Sequence, residues 1–264
     1  MGTDIENINN YIIAEIDIKE DDINKKIRII NSYDHCLKEH DWPNAYHLPK
    51  NEKEIKKKCK LQINNKRIPF TYYYKFKQKG KYIIKYSFTK NIENAKYMFK
   101  ECKLLTDIDL SHFDAKDAFD MSYMFSDFNS LKNINLTNLN TQNVNKMNFM
   151  FYGCKSLINL DLSNINTQNV IMMRSLFCEC NSLLNINLSN FNTERVYDMG
   201  FMFCRCASLT NIDLSSFNTK NARKMACMFE DCYSLVNISL NDFYIPNEDK
   251  KYIFEECNSL IKKF

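Results

Sequence analysis

One short motif recurs at a nearly constant spacing and constrains the fold of this chain more than any other feature. The pair Met-Phe, or a close substitute, begins at Met98, Met124, Met150, Leu176, Met202, Met228 and Ile253. The spacing is 26 residues five times and 25 residues once. A fixed period of about 20 to 50 residues is typical of solenoids, in which each unit packs only against its neighbours. The repeat therefore predicts stacked coils over residues 93–264.

Each unit contains a short stretch with the alternation of a half-buried strand. Residues 157–162 read LINLDL, so the last apolar residues alternate with polar ones. The remainder, through Phe191, Val196 and Met199, predicts an irregular or short helical return. Nine apolar positions in 26 bury too little surface to offset about 1–2 kcal/mol of backbone entropy per residue. We therefore expect the units to be stable only when they are stacked and capped.

The repeated template is M-F-x-x-C-x-S-L-x-N-I-D-L-S-x-F-N-T-x-x-V-x-x-M, and it is clearest in the units that begin at Met150 and Met202. It resembles the 26-residue repeat of the BspA-like leucine-rich repeat family, of the mycoplasma-lipoprotein type. The resemblance implies a leucine-rich-repeat solenoid of about six to seven turns, with parallel strands and irregular or short helical returns. The family's usual Gly before the Cys is present at Gly153-Cys154. Other residues replace it elsewhere, among them Glu179, Arg205 and Asp231.

Bacterial members of the family that this chain resembles are exported surface proteins, and some are implicated in adhesion to host proteins. The first ten residues here, MGTDIENINN, are polar and acidic, unlike a secretory signal. No stretch of 18 consecutive apolar residues occurs. We therefore expect a cytoplasmic protein, and surface adhesion after export without a signal peptide is the alternative.

Residues 1–92 lack the repeat and predict a small β-rich cap domain that shields the first coil. Strands are predicted over residues 10–18 and 25–30, and a hairpin over 59–70 that turns at Asn64-Asn65. Alternating aromatic and lysine residues on either side of Gly80 predict a second antiparallel hairpin.

Residues 50–90 carry 14 Lys or Arg against 2 Glu, whereas residues 1–49 carry a net charge of −5. One interpretation is that the basic hairpin 70–90 docks on anionic lipid or RNA. The other is that its lysines form solvated strand faces and edges. We favour the second because no recognised nucleic-acid motif accompanies the lysines.

The chain has 11 cysteines, which the absence of an export signal predicts to be reduced. Six share one repeat position, and Phe128 occupies it too, so that position is predicted to lie in the core: Cys102, Cys154, Cys180, Cys206, Cys232 and Cys257. The pairs Cys178/Cys180 and Cys204/Cys206 suggest four thiolates for zinc. Because alternate residues of a strand point opposite ways, we instead interpret Cys178 and Cys204 as surface thiols.

Three further observations concern chemistry. His35, Cys36, His40 and His47, with Cys59, could form a metal site, but their spacing matches no standard zinc pattern, and we interpret the histidines as loop residues. No nucleophile motif, phosphate-binding loop or dinucleotide fingerprint is present. We therefore expect no enzymatic activity, catalytic residue, cofactor or metal.

The polar positions of the predicted strands form two columns along the solenoid, which we take as a candidate partner-binding surface. Their central members are Asn159, Asp161, Asn185, Asn187, Asn211 and Asp213. The alternative is that these side chains hydrogen-bond to one another and serve the stacking alone. Phe149 and Phe201 share a variable repeat position and could anchor a partner or pack as a second layer.

The predicted function is a non-enzymatic protein–protein interaction or scaffold protein that uses the solenoid surface. We expect neither nucleic acid nor a membrane as the partner. The sequence predicts neither the identity of the partner nor the oligomeric state.

Composition bears on how the chain turns. Gly and Pro number 4 each, whereas Asn numbers 35. Asn tolerates left-handed backbone better than other non-glycine residues and caps turns with its side chain. We therefore expect asparagines to take the left-handed positions that glycine usually fills.

Overall fold

The computed structural model describes residues 8–40, 50–241, 243–250 and 252–261. The elements before the repeats are β1 Tyr11–Ile18, β2 Ile27–Arg28, α1 Tyr33–His40, α2 Glu52–Lys58, β3 Cys59–Ile63, β4 Lys66–Ile68, β5 Tyr73–Tyr74 and β6 Gly80–Phe88, with a 3-10 helix over Glu20–Asp22. The repeats contribute β7 Leu105–Asp109, β8 Asn133–Asn135, β9 Asn159–Asp161, β10 Asn185–Asn187, β11 Asn211–Leu214, β12 Asn237–Leu240 and α3 Asn258–Ile261.

The amino-terminal region and the first repeats share one six-stranded sheet, in the order β4-β3-β6-β1-β7-β8. The neighbouring strands β4, β3, β6, β1 and β7 pair antiparallel. The strands β7 and β8 pair parallel, as successive repeat strands do. Since β1 pairs with β7, the first repeat strand has no open edge on its amino-terminal side. An open edge would be a template for pairing with another chain.

The structure confirms β1 and the hairpin β3–β4, whose turn residues Asn64 and Asn65 both have positive φ. The second predicted hairpin is wrong. β5 pairs with β2, where Ile27 lies opposite Tyr74, and β6 lies between β1 and β3. The alternation around Gly80 reports which face of a strand is buried, and it carries no information about the partner strand.

Helices α1 and α2 were not predicted. Helix α2 has the sequence EKEIKKK, and its buried side chain is Ile55. Two i,i+4 ion pairs lie along it, Glu52 with Lys56 and Glu54 with Lys58. None of the described helices is long and apolar enough to cross a membrane.

A second set of backbone hydrogen bonds joins the coils beside the strands, and we call it the Met–Phe ladder. It comprises residues 95–101, 121–127, 147–153, 173–179, 199–205 and 225–231. In the first five segments, every second N–H donates to a carbonyl of the following coil; for example, the N–H of Phe177 donates to Met202 O at 2.9 Å. In the last segment, Phe229 and Asp231 make such bonds, and Met225 N donates to the Asp249 carboxylate. All these donors point toward the carboxyl terminus, so the ladder has a fixed polarity.

The Met–Phe ladder requires left-handed backbone at two repeat positions. One holds Tyr97, Tyr123, Phe149, Ser175, Phe201 and Cys227, and the other holds Glu101, Asp127, Gly153, Glu179, Arg205 and Asp231, all with φ between 54° and 68°. The expectation that asparagine fills such positions is wrong here, since Asn has positive φ at four described positions outside these columns, Asn24, Asn64, Asn65 and Asn138. Many other asparagines instead form hydrogen bonds within a coil or between adjacent coils.

Stacked phenylalanines form the centre of the solenoid. Successive ring centroids are 5.4–6.1 Å apart along Phe99, Phe125, Phe151, Phe177, Phe203, Phe229 and Phe254. The column of six cysteines is fully buried, which confirms the core interpretation. Five of these thiols donate to a phenylalanine carbonyl of the preceding coil, as Cys180 does to Phe151 O at 3.1 Å. The coils are thus joined by apolar packing and by hydrogen bonds.

Two buried asparagines cap the amino-terminal end of the Met–Phe ladder. The first coil has four carbonyls that no preceding coil can reach, those of Asn94, Lys96, Met98 and Lys100. The Asn51 side-chain amide donates to the first two, at 3.0 and 2.6 Å. The Asn31 main-chain N–H and side-chain amide donate to the last two, at 2.7 and 3.0 Å. Buried carbonyls need hydrogen-bond partners. Asn31 and Asn51 supply them, so the amino-terminal side of the first coil can be buried.

Buried threonines also join the coils, at Thr141, Thr167, Thr193 and Thr219. The Thr193 hydroxyl donates to Asn218 O at 2.9 Å and accepts from Asn218 N at 2.9 Å. We expect Thr193→Val, which keeps the shape but removes both bonds, to lower the free energy of unfolding by about 1–2 kcal/mol. Urea denaturation measures this change. Thr193→Ser retains the hydroxyl and is the control; a loss in Thr193→Ser together with no loss in Thr193→Val would show that the methyl group, and not the hydrogen bonds, matters.

Candidate interaction surface

The strands place both polar columns on one exposed face of the solenoid. Buried Leu160 and Ile212 point inward from β9 and β11, so their neighbours on each side point outward. Four successive strands, β9 to β12, line an open groove with a volume of about 600 Å³. We call it the strand-face groove, and its polar lining is Asn159, Asp161, Asn185, Asn187, Asn211, Asp213, Asn237 and Ser239. All six polar residues predicted for partner binding lie in it.

Side chains of the first polar column are paired across alternate coil boundaries. The Asn185 amide donates to Asn159 Oδ1 at 2.8 Å, and Asn237 donates to Asn211 Oδ1 at 2.6 Å. The corresponding pair in the first coils is Asn133 with Asp107, at 2.6 Å. These bonds support the stacking interpretation and also hold the amide groups in fixed positions at the surface.

Side chains of the second column terminate the strands. Asp161 Oδ1 accepts from Ser163 N at 3.0 Å, and Asp213 Oδ1 accepts from Ser215 N at 2.9 Å. Asn187 makes the same turn with Ser189. The serine N–H groups lower the pKa of Asp161 and Asp213, so both are carboxylates near neutral pH. The groove is therefore acidic, and its lining includes no Lys or Arg among the described residues.

Two exposed apolar residues directly precede the first polar column in the chain and are not part of the lining of the strand-face groove. Ile158 and Leu184 are 47% and 44% exposed, at the same repeat position in adjacent coils, directly before Asn159 and Asn185. Lys132 and Thr210 occupy this position in neighbouring coils. The change from charged to apolar between coils was the available signal, because a position that packing dictates would stay apolar.

Phe149 and Phe201 lie outside the strand-face groove, and both are half-buried. Phe149 stacks on Tyr123 with ring centroids 4.5 Å apart, and Tyr123 stacks on Tyr97 at 4.6 Å. The Arg174 guanidinium lies 4.7 Å from the Phe201 ring centroid. These contacts favour the second-layer alternative for both rings.

The prediction of surface thiols at Cys178 and Cys204 is wrong, since they are 7% and 4% exposed. The segment is a series of turns in the Met–Phe ladder with Glu179 in left-handed conformation, and a strand's alternation does not apply. Cys178 and Cys180 therefore both point into the protein. The Cys204 thiol contacts that of Cys178 and lies 3.6 Å from Glu230 Oε2.

The described members of the histidine–cysteine group, His35, Cys36, His40 and Cys59, do not all converge on one site. His35 stacks on Tyr72 at 3.8 Å, and Cys59 is buried in β3. Cys36 and His40 lie with Glu101, one ligand atom of each within 4.8 Å of the other two. His47 lies outside the described residues. The interpretation of the histidines as loop residues is wrong for His35 and His40, which lie in helix α1.

Acidic and polar groups lie beside the lysines of residues 70–90. Lys79 Nζ is 3.0 Å from Glu20 Oε2, and Lys77 Nζ donates to Asn24 at 3.1 Å. Lys81 pairs in register with Asp17 on β1. The negative charge of the first 49 residues is thus partly placed next to the positive charge of the following segment.

Two stretches of the chain, residues 70–182 and 156–264, match the model of DUF285, described as a mycoplasma protein of unknown function. Together the matches span about three quarters of the chain and include every repeat strand. The chain belongs to the DUF285 family. No curated protein and no solved structure matches it. Within this DUF285 protein, both polar columns and the Met–Phe ladder lie inside the matched region, whereas β1 to β4, α1 and α2 precede it.

Proposed function

We propose that this DUF285 protein is a BspA-like leucine-rich repeat protein that binds another protein through the strand-face groove and catalyses no reaction. The observation that carries the proposal is the exposed row of polar side chains in the groove, where the Asn185 amide is held on Asn159 Oδ1 at 2.8 Å. Exposed Ile158 and Leu184 directly precede these two asparagines in the chain. Polar groups that are held in place before binding lose little freedom when a partner docks, which favours recognition at this surface. Asp161 and Asp213 favour a partner segment that is extended and basic.

The repeat itself supplies substitutions that test the groove without disturbing the fold. Lys132 occupies the repeat position of Ile158 and Leu184, and Asn135 occupies that of Asp161 and Asp213. A variant with Ile158→Lys, Leu184→Lys, Asp161→Asn and Asp213→Asn therefore removes the apolar pair and both charges with residues that other coils already accept.

Affinity purification with the wild-type chain, followed by binding measurements on the recovered partner, tests the proposal. We expect the groove variant to bind at least about tenfold more weakly, since the change removes central contacts. The matched control is Ile171→Arg with Tyr197→Arg, because Arg223 occupies that exposed repeat position. Unchanged binding by the groove variant, equal loss in the control, or the absence of any partner would contradict the proposal.

Adhesion outside the cell and docking of residues 70–90 on anionic lipid or RNA stay predictions. Localisation of the tagged protein tests the first. For the second, reversal of Lys75, Lys77, Lys81 and Lys85 to Glu would abolish a salt-sensitive interaction.

A further inference from the structure

Four potential metal ligands from three successive coils meet near the carboxyl-terminal end of the solenoid. One ligand atom each of Cys227, Glu230 and Glu255 lies within 4.8 Å of the other two. Cys204 Sγ lies 3.6 Å from Glu230 Oε2. Cys204, Glu230 and Glu255 occupy the same repeat position in consecutive coils, and Cys227 precedes Glu230 by one turn. The cluster therefore results from the stacking of the repeats.

Within the described part of the chain, no cation is paired with the carboxylates of this cluster. No Lys or Arg among the described residues forms an ion pair with Glu230 or Glu255. The nearby Arg205 is instead bonded to Asp231 at 3.2 Å and to Glu179 at 3.5 Å. Two carboxylates that face each other repel, and a bound cation would remove this cost.

A second group, Cys36, His40 and Glu101, also brings three ligand types together. Its carboxylate is already surrounded by cations, because Arg28 Nη2 and Lys100 Nζ lie 3.6 and 3.5 Å from Glu101. A divalent ion there would meet two positive charges. The group at the carboxyl-terminal end is thus the better cation site.

We propose that Cys204, Cys227, Glu230 and Glu255 bind a Zn²⁺ ion, or another divalent ion that accepts both thiolate and carboxylate ligands. Four ligands of these types complete a tetrahedral zinc site with bonds of about 2.0–2.3 Å. Tetrahedral geometry places ligand atoms about 3.5 Å apart. Cys227, Glu230 and Glu255, whose ligand atoms now lie within 4.8 Å of one another, therefore move closer on binding, and Cys204 joins them from its position 3.6 Å from Glu230. Cys227 and Glu230 are half-buried and Glu255 is exposed, which leaves a path for the ion.

Binding would change protonation and order. Each of the two thiols loses its proton to solvent as its sulfur bonds to the ion, and no oxidation or reduction is involved. The ion would tie Glu255 of the last coil to the two coils before it. An ion that binds only the folded state of the chain stabilises that state by mass action. The unfolding temperature should therefore rise in the presence of Zn²⁺.

The repeat again supplies fold-compatible variants. Ser126 occupies the repeat position of Cys204, and Ser175 occupies that of Cys227 with the same left-handed backbone. Cys204→Ser and Cys227→Ser therefore remove one sulfur ligand each at positions where serine is already accepted. Asp231→Asn removes a neighbouring carboxylate outside the cluster, and His40→Gln changes the other ligand group; both are controls.

Titration of the reduced, metal-free full chain with Co²⁺ tests the site, because tetrahedral thiolate-bound Co²⁺ absorbs visible light. Addition of Zn²⁺, which displaces the Co²⁺, then removes this absorption. We expect one equivalent of the ion to bind. Cys204→Ser and Cys227→Ser should each raise the dissociation constant more than about 100-fold. Loss of a residue that only supports a ligand raises it about 10–100-fold, so the larger effect identifies a direct ligand. Both controls should bind as the wild type does. The absence of saturable binding, binding that survives in Cys227→Ser, or binding lost in His40→Gln would overturn the proposal.

Discussion

Replacing Asn51 by Ala is expected to lower the free energy of unfolding by about 3–4 kcal/mol. The fully buried Asn51 side chain donates to the carbonyls of Asn94 and Lys96, and its Oδ1 accepts from Tyr33 N at 2.8 Å. The substitution leaves three main-chain groups without their partners in a buried position. Each such group costs about 1–3 kcal/mol.

Urea denaturation, followed by far-UV circular dichroism, measures this loss. Asn185→Ala is the matched control, because it removes an exposed asparagine that makes one side-chain bond between coils. We expect the control to change the free energy by about 0.5 kcal/mol or less. A loss below about 1 kcal/mol in Asn51→Ala would show that water replaces the Asn51 side chain and that this side chain is not needed to satisfy the carbonyls of Asn94 and Lys96.

Phe177→Ala is expected to cost about 3–5 kcal/mol, the range for deletion of a buried aromatic ring. Phe177 is fully buried, and its ring lies 5.9 Å from that of Phe151 and 5.4 Å from that of Phe203. Because rings of adjacent coils are its stacking partners, the cavity weakens both coil boundaries. The same denaturation experiment gives the change.

A graded series separates cavity formation from loss of the ring itself. Phe177→Leu retains most of the volume, and we expect it to cost less than half as much as Phe177→Ala. Similar losses in the two variants would show that ring stacking matters more than volume. A loss below about 1.5 kcal/mol in Phe177→Ala would mean that neighbouring side chains collapse into the space.

The periodicity made the solenoid predictable because a solenoid repeats its burial pattern once per coil. The strand expected within residues 157–162 is β9, Asn159–Asp161, and the cysteine column is buried as expected. The amino-terminal region has no repeat, so its burial pattern cannot be compared between equivalent units. Its alternation identified the buried face of β6, but the pairing of β5 with β2 depends on contacts between distant segments.

The candidate surface was predictable in its polar part alone. Asn159 and Asp161 were assigned outward because polar residues alternate with leucines there. Ile158 was missed because an apolar residue is assumed to be buried. Cys178 was assigned outward by applying a strand's alternation to a segment of turns. Gly153, at the repeat position of Glu179, was the available sign of left-handed backbone in that segment.

The fixed polarity of the Met–Phe ladder makes the two termini of the solenoid chemically unlike. One terminus presents acceptors, which Asn31 and Asn51 cover, and the other presents donors, where the Asp249 carboxylate accepts from Met225 N at 2.7 Å. Interior coils meet identical partners above and below. Evolution or engineering can therefore lengthen the protein by inserting whole 26-residue modules between the two ends, whereas exchanging the ends would set acceptors against acceptors.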